Sequence, residues 1–90
     1  MEVTIKLAGA LRGEAGGLKA IQVQADNVGQ CLEQMEARLP GARKRLRDET
    51  GKLRSYVNIT VNGQDLGRIG GLDSSVKDGD VITIVVAPAF

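Results

Sequence analysis

The chain has 90 residues, enough for one domain with one hydrophobic core, and we expect residues 1–90 to form it. Its net charge is +1 and its only aromatic residues are Tyr56 and Phe90, so it lacks both the basic field and the stacking surfaces typical of nucleic-acid-binding proteins. The absence of histidine excludes histidine acid-base catalysis, Ser-His and Cys-His nucleophiles and the usual zinc sites. One cysteine and no apolar run of membrane-spanning length predict a cytoplasmic protein without a disulfide or membrane contact.

Two strands are predicted at the start of the chain. Residues 2–8 alternate, with Val3, Ile5 and Leu7 on one face. Residues 18–24 alternate again, with Ile21 and Val23 on one face. The segment between them carries four glycines and predicts a hairpin loop; a phosphate-binding loop would need a helix to follow, and a strand follows instead.

A helix is predicted from Asn27, a favourable N-cap with Gln30 three residues later. Pro40-Gly41 ends it. One apolar stripe predicts that this helix lies across one face of a sheet. Cys31 falls on that stripe and is interpreted as a core residue; a reactive thiol near the helix N-terminus is the alternative. The stripe comprises Val28, Cys31, Leu32, Met35 and Leu39.

Residues 42–54 are rich in arginine and lysine, with a short helical turn predicted around Leu46. Acidic residues interrupt the run and stacking aromatics are missing, so a solvated face is favoured over an RNA or phosphate site, with a protein contact as the next alternative. Residues 56–61 predict a third strand, and Asn62-Gly63 a tight hairpin leading to a short edge strand near residues 64–68. Residues 70–75 predict a loop.

The last strand begins after the turn Asp78-Gly79-Asp80. Two carboxylates are too few for a calcium site, so no metal is expected there. The nearly continuous apolar run from Val81 predicts a strand buried on both faces and central in its sheet, between the first and third strands and parallel to the first. The order β-β-α-β-β-β predicts an α+β β-grasp (ubiquitin-like) fold with a mixed sheet and one main helix on one face. The expected core is Val3, Ile5, Leu7, Ile21, Val23, Val28, Leu32, Met35, Val57, Ile59, Val61, Ile82 and Ile84.

Short sequences spread along nearly the whole chain resemble the ubiquitin-like sulfur carriers of the MoaD/ThiS group, above all its longer members, which include carriers used in cysteine synthesis. Each piece is weakly specific, and their order and spacing carry the resemblance. The pieces, with the helix that begins at Asn27, are Leu11-Arg12, Gly16-Gly17, Pro40-Gly41, Gly51-Lys52-Leu53-Arg54, Val57-Asn58-Ile59, Val61-Asn62-Gly63, Gly70-Gly71-Leu72 and Lys77-Asp78-Gly79-Asp80.

The resemblance implies a substrate protein that is not itself an enzyme and holds no cofactor. In the family, an ATP-dependent activating enzyme adenylates the C-terminal carboxylate, which becomes a thiocarboxylate. Its sulfur then enters molybdopterin, thiazole or cysteine. On this hypothesis the modified terminus is Phe90, and the partner is the activating enzyme or another protein that docks on the C-terminal tail and the outer sheet face.

The tail departs from the family pattern. The family ends in Gly-Gly, where glycine lets the backbone extend through a narrow channel. Here Val86-Ala87-Pro88-Ala89-Phe90 stands instead, and Pro88 stiffens the segment. This predicts poor adenylation by a standard activating enzyme. It leaves open a second hypothesis, a carrier-derived binding or regulatory module that is not thiocarboxylated.

The predicted partner contacts are Val85, Val86, Ala87, Pro88, Ala89 and Phe90. Phe90 is either an aromatic anchor for a partner pocket or folded back on its own surface. Val81, Thr83 and Val85 form the outward face of the last strand. Val85 matches the outward apolar residue before the family's tail, which contacts the activating enzyme, so this face is expected to meet a partner.

Overall fold

The computed structural model describes residues 1–9, 11–14 and 16–86. A mixed five-stranded sheet has the order β2-β1-β5-β3-β4, in which β1 and β5 are parallel and the other neighbours antiparallel. The strands are β1 (Glu2–Gly9), β2 (Ala20–Gln24), β3 (Val57–Val61), β4 (Gln64–Asp65) and β5 (Val81–Val86). The helices are α1 (Leu11–Glu14), α2 (Val28–Arg38) and α3 (Ala42–Leu46), with 3₁₀ turns at Leu66–Arg68 and Gly71–Asp73. This is the predicted β-grasp arrangement, with the last strand central and parallel to the first.

The start of α2 follows the predicted cap. Asn27 is extended and its side-chain oxygen accepts from the N–H of Gln30 at 2.8 Å. The Gln30 side chain accepts from the N–H of Asp26 at 2.9 Å, one residue before the cap. Two backbone donors at the helix entrance are thereby satisfied, which fixes where the chain turns from β2 into α2.

The hairpin between β3 and β4 forms at Asn62-Gly63, where both residues have positive φ, 51° and 84°. Such angles suit a tight two-residue hairpin turn, as predicted. The edge strand is shorter than expected because the 3₁₀ turn takes over at Leu66. At the opposite edge, Arg38 Nη1 donates to the backbone oxygen of Gln22 in β2, which occupies one carbonyl of that exposed edge.

The prediction that β5 is buried on both faces is wrong. Ile82, Ile84 and Val86 are buried, whereas Val85 on the other face is 39% exposed. The helices cover only one face of the sheet, so a central strand still alternates between core and surface.

Most of the expected core is confirmed, including Cys31, but Ile21 and Val57 are only partly buried. The glycine-rich segment predicted as a loop contains α1, whose Leu11 is fully buried. None of the helices in the described residues combines the length and hydropathy that crossing a bilayer requires. Buried apolar residues absent from the expected core are Leu11, Ala25, Ala42, Leu46, Val76 and Val86.

Candidate functional site

The outer face of the sheet carries an exposed apolar residue at the C-terminal end of its central strand. Val85 pairs with Ala8 of β1 on one side and Asn58 of β3 on the other. These two neighbours are small or polar, so neither covers the Val85 side chain. An exposed valine on an open sheet face is accessible to a flat protein surface.

Leu18 extends this row, although the sequence pattern assigned it only to a strand. It precedes β2 and is 52% exposed. The N–H of Leu7 donates to the backbone oxygen of Lys19 at 2.8 Å, so the β1/β2 pairing continues beyond Ala20. Extending the register from Lys6 and Ala20 by two positions places Leu18 opposite Ala8. Leu18 is separated from Gln22 and Gln24 by even numbers of residues, so strand alternation puts it on the same outer face as they are. That alternation was the signal that could have identified it.

The other predicted contacts have different positions. The structure brings Val85 to the surface, but Val86 points into the core and is 1% exposed. Ala87, Pro88, Ala89 and Phe90 lie outside the described residues. Val86 pairs with both Gly9 and Val57, so β5 is held on both sides up to the point where residues 87–90 follow.

The turn before β5, Asp78-Gly79-Asp80, is held by side-chain hydrogen bonds. The Asp80 carboxylate accepts from the N–H of Lys77 at 2.8 Å and from Asn62 Nδ2 at 3.0 Å. Asn62 Oδ1 in turn accepts from the N–H of Val81 at 2.9 Å. The two hydrogen bonds to the Asp80 carboxylate, first the one from Asn62 and then the one from Lys77, hold the pKa of Asp80 below its ordinary value. Within the described residues, no three potential metal ligands come together.

Cys31 is fully buried in the core. Burial raises the pKa of its thiol, and the negative charge of Asp80 raises it further. A protonated, inaccessible thiol is a poor nucleophile, so the core interpretation of Cys31 is favoured over a reactive one.

Arg47 ties the basic segment 42–54 to α2. Arg47 Nε donates to Glu36 Oε2 of α2 at 2.9 Å, and Arg47 Nη1 donates to the backbone oxygen of Gly51 at 3.2 Å. Arg47 also pairs with Leu53 in an isolated bridge. The segment, which begins with α3, is thereby tied to α2. Its remaining cations are exposed except for Arg54, which is half-buried.

Residues 5–89 match the ThiS family. The chain is 38% identical to the sulfur carrier protein CysO of Mycobacterium tuberculosis, over 99% of this chain and 98% of that protein. It is 30% identical to small archaeal modifier protein 3 of Haloferax volcanii, over 93% and 92% of the two chains. Among solved structures, a chain of the BexX/CysO complex of Amycolatopsis orientalis superposes with a TM-score of 0.84 at 36% identity, covering 98% of each chain.

Proposed function

We propose, since the chain belongs to the ThiS family of ubiquitin-like sulfur carriers, that it carries sulfur on its own C-terminus and is a substrate of other enzymes. The terminal carboxylate attacks the α-phosphorus of ATP in an activating enzyme, and pyrophosphate leaves. A sulfur donor at the oxidation level of hydrosulfide then attacks the acyl carbon, the bond from that carbon to the phosphate oxygen breaks with AMP as the leaving group, and a thiocarboxylate remains. The chain supplies the carboxylate and the docking surface, and the activating enzyme supplies the catalysis.

The observation that supports this proposal most directly is the position of Val85. It lies at the end of the central strand from which residues 87–90 continue, and it is exposed in a row with Ala8 and Leu18. A protein that docks on this row can grip the chain next to the reacting terminus. We therefore place the activating enzyme on the outer face at Val85, and we leave Val86 out of the surface because it is buried.

The relatives guide the choice of partner and pathway. The BexX/CysO complex contains a related carrier bound to another protein. Similarity to CysO favours cysteine, among the three destinations of sulfur in the family, as the product that this chain serves. Adenylation is proposed at the protein's C-terminal carboxylate, beyond β5.

The test combines intact-mass analysis of the protein from its native cells with a pyrophosphate-release assay using the host's activating enzyme. We expect a mass increase that matches replacement of one oxygen by sulfur, and ATP-dependent pyrophosphate release. Val85→Asp should lower that release about tenfold or more, because a charge would be desolvated at the interface. Gln64→Asp adds the same charge to an exposed strand residue outside the row and should leave pyrophosphate release unchanged.

An unmodified terminus together with no pyrophosphate release would reject the carrier mechanism and leave the docking module as the function. Release that is equal in Val85→Asp and wild type would reject the docking surface alone. The two results separate the chemistry of the terminus from the position of the partner.

A further inference from the structure

A second surface feature lies at the same end of the sheet. A groove runs between α3 and the residues that lead into β3, and among the described residues no carboxylate lines it. Two lysine or arginine side chains come from α3 and one from the approach to β3, with an exposed tyrosine at the end. The lining residues are Pro40, Gly41, Lys44, Arg45, Arg54 and Tyr56.

Arg54 is fixed in this groove by the backbone of α3. Its Nε donates to the backbone oxygen of Lys44 at 3.0 Å, and its N–H donates to the backbone oxygen of Leu46 at 2.8 Å. The guanidinium is thus oriented through Nε, so that its Nη groups can donate to an acceptor in the groove. Tyr56 is 36% exposed and adds a phenolic hydroxyl at the same wall.

The local charge is strongly positive. Residues 42–54 contain six cations and two acids in a chain whose total is only +1, so the remaining residues are net acidic. Asp48 lies close enough to Arg54 to interact electrostatically. However, its Oδ1 already accepts from the hydroxyl and N–H of Thr50 and from the N–H of Lys52, and it does not line the groove. Asp48 and Glu49 line an adjoining pocket that shares Lys44 and Arg54 with the groove. Among the described residues, the charged side chains that line the groove itself are all cations.

The position of the groove connects it to the carrier terminus. Val57 pairs with Val86, and Tyr56 immediately precedes Val57. The groove consequently lies at the end of the sheet from which residues 87–90 continue. A protein that encloses those residues comes within reach of Lys44 and Arg54.

We propose that this groove binds an acidic peptide segment of the protein that receives the C-terminal tail, an inference that rests on the proposed function. Cations distributed along an open groove match successive Asp or Glu side chains better than they match one compact anion. Nucleic acid is disfavoured, because the chain has little net charge and, among the described residues, only Tyr56 offers a stacking ring in the groove. Such a contact would accelerate association and make it salt-dependent.

The test titrates the intact chain with a hexaglutamate peptide at low ionic strength and follows backbone amide shifts by NMR. Lys44, Arg54 and Tyr56 should shift. Lys44→Ala/Arg54→Ala should weaken binding about fivefold to tenfold, as expected for two exposed ion pairs. The matched control Arg68→Ala/Lys77→Ala removes two charges outside the groove and should change affinity less than about twofold. Urea midpoints verify that both double variants are folded.

Equal losses in the two double variants, or shifts centred elsewhere, would overturn the proposal. Tighter binding of an oligodeoxythymidylate of equal charge to the same residues would assign the groove to nucleic acid instead. Peptide binding does not depend on adenylation. If the protein is thiocarboxylated but the groove residues show no amide shifts with the peptide, this inference is refuted and the carrier function stands. If the groove residues bind the peptide but the chain never supports pyrophosphate release, the carrier function is refuted and this inference stands.

Discussion

Gly9 packs against the backbone of Val86 so closely that a Cβ built on Gly9 would lie 2.2 Å from the Val86 oxygen. Gly9 also has a φ of +68°, in the left-handed region. These two residues are register partners at the last described position of β5. The close approach thus sets the position of the backbone from which residues 87–90 continue.

We expect Gly9→Ala to be strongly destabilising, by about 3 kcal/mol or more, because the methyl group must displace the β5 backbone and the left-handed φ is strained as well. The same displacement should lower pyrophosphate release under conditions where the protein remains folded. Urea unfolding followed by circular dichroism measures the first effect, and the activating-enzyme assay measures the second.

Gly16→Ala is the matched control for this prediction. Its φ is +66°, nearly that of Gly9, but nothing lies within 4 Å of an added Cβ. It should cost only the backbone strain, about 1 kcal/mol. Similar losses in the two variants would show that the contact with Val86 is unimportant.

Leu11 and Leu18 provide a second matched pair, one leucine buried and one exposed in the same connection between β1 and β2. Leu11→Ala should destabilise the fold by about 3 kcal/mol, because it leaves a cavity in the core. Leu18→Ala should change stability by less than about 0.5 kcal/mol. On the proposed function it should nevertheless weaken pyrophosphate release, since Leu18 belongs to the docking row. A stability loss of equal size in both variants would contradict the burial difference.

These leucines also mark how far the sequence could predict the fold. Strands with period two, a capped amphipathic helix and the Asn62-Gly63 turn each have a local signal, and all were predicted. Leu11 has none, because one leucine among glycines reveals no periodicity and its burial depends on the packing of α1 against β1, α3 and β5. The exposure of Leu18 likewise depends on continuation of the β1/β2 register rather than on its own neighbours.

The candidate site was likewise predictable only where a local sequence signal exists. Val85 could be placed outward by alternation, but an apolar run alone does not reveal which face of β5 the helices leave open. Val86 was included by proximity to the tail, and only the three-dimensional structure shows it inside. The groove at Lys44 and Arg54 could be predicted only as a basic segment, since its shape depends on a hydrogen bond between residues ten positions apart.

The ion pair between Glu36 and Arg47 yields a third prediction. The Glu36 side chain is almost completely buried, and Oε1 has no hydrogen-bond partner among the described residues, so Arg47 is the charge that compensates it. Arg47→Ala should lower the free energy of unfolding by about 3 kcal/mol because it leaves a buried carboxylate uncompensated. Glu36→Gln/Arg47→Met, which removes both charges, should recover most of that loss in urea unfolding at neutral pH. A double variant no more stable than Arg47→Ala would assign the effect to loop tethering at Gly51.

The stability of the protein should fall on acidification in part through Asp80. Its pKa is held below the ordinary value of 3.8, primarily by the side-chain hydrogen bond from Asn62 and then by the N–H of Lys77. A carboxyl whose folded pKa is depressed adds stability that is fully present above its unfolded pKa and is lost as the pH falls through the folded value. The stability advantage of wild type over Asp80→Asn should therefore be constant at neutral pH and shrink below about pH 3.8. Urea midpoints measured across this range test the expectation.

Asn62→Gly distinguishes the hydrogen bond from a general effect of acid. Glycine tolerates the φ of 51° at this position and removes the amide that donates to Asp80. The pKa of Asp80, followed by carboxyl carbon NMR, should then rise toward 3.8, while the N–H of Lys77 keeps part of the depression. Because the N–H of Val81 also loses its acceptor, the variant should be less stable at neutral pH, and its stability should depend less on acidification. An Asp80 that titrates at its ordinary value in wild type would show that the turn does not stabilise the carboxylate.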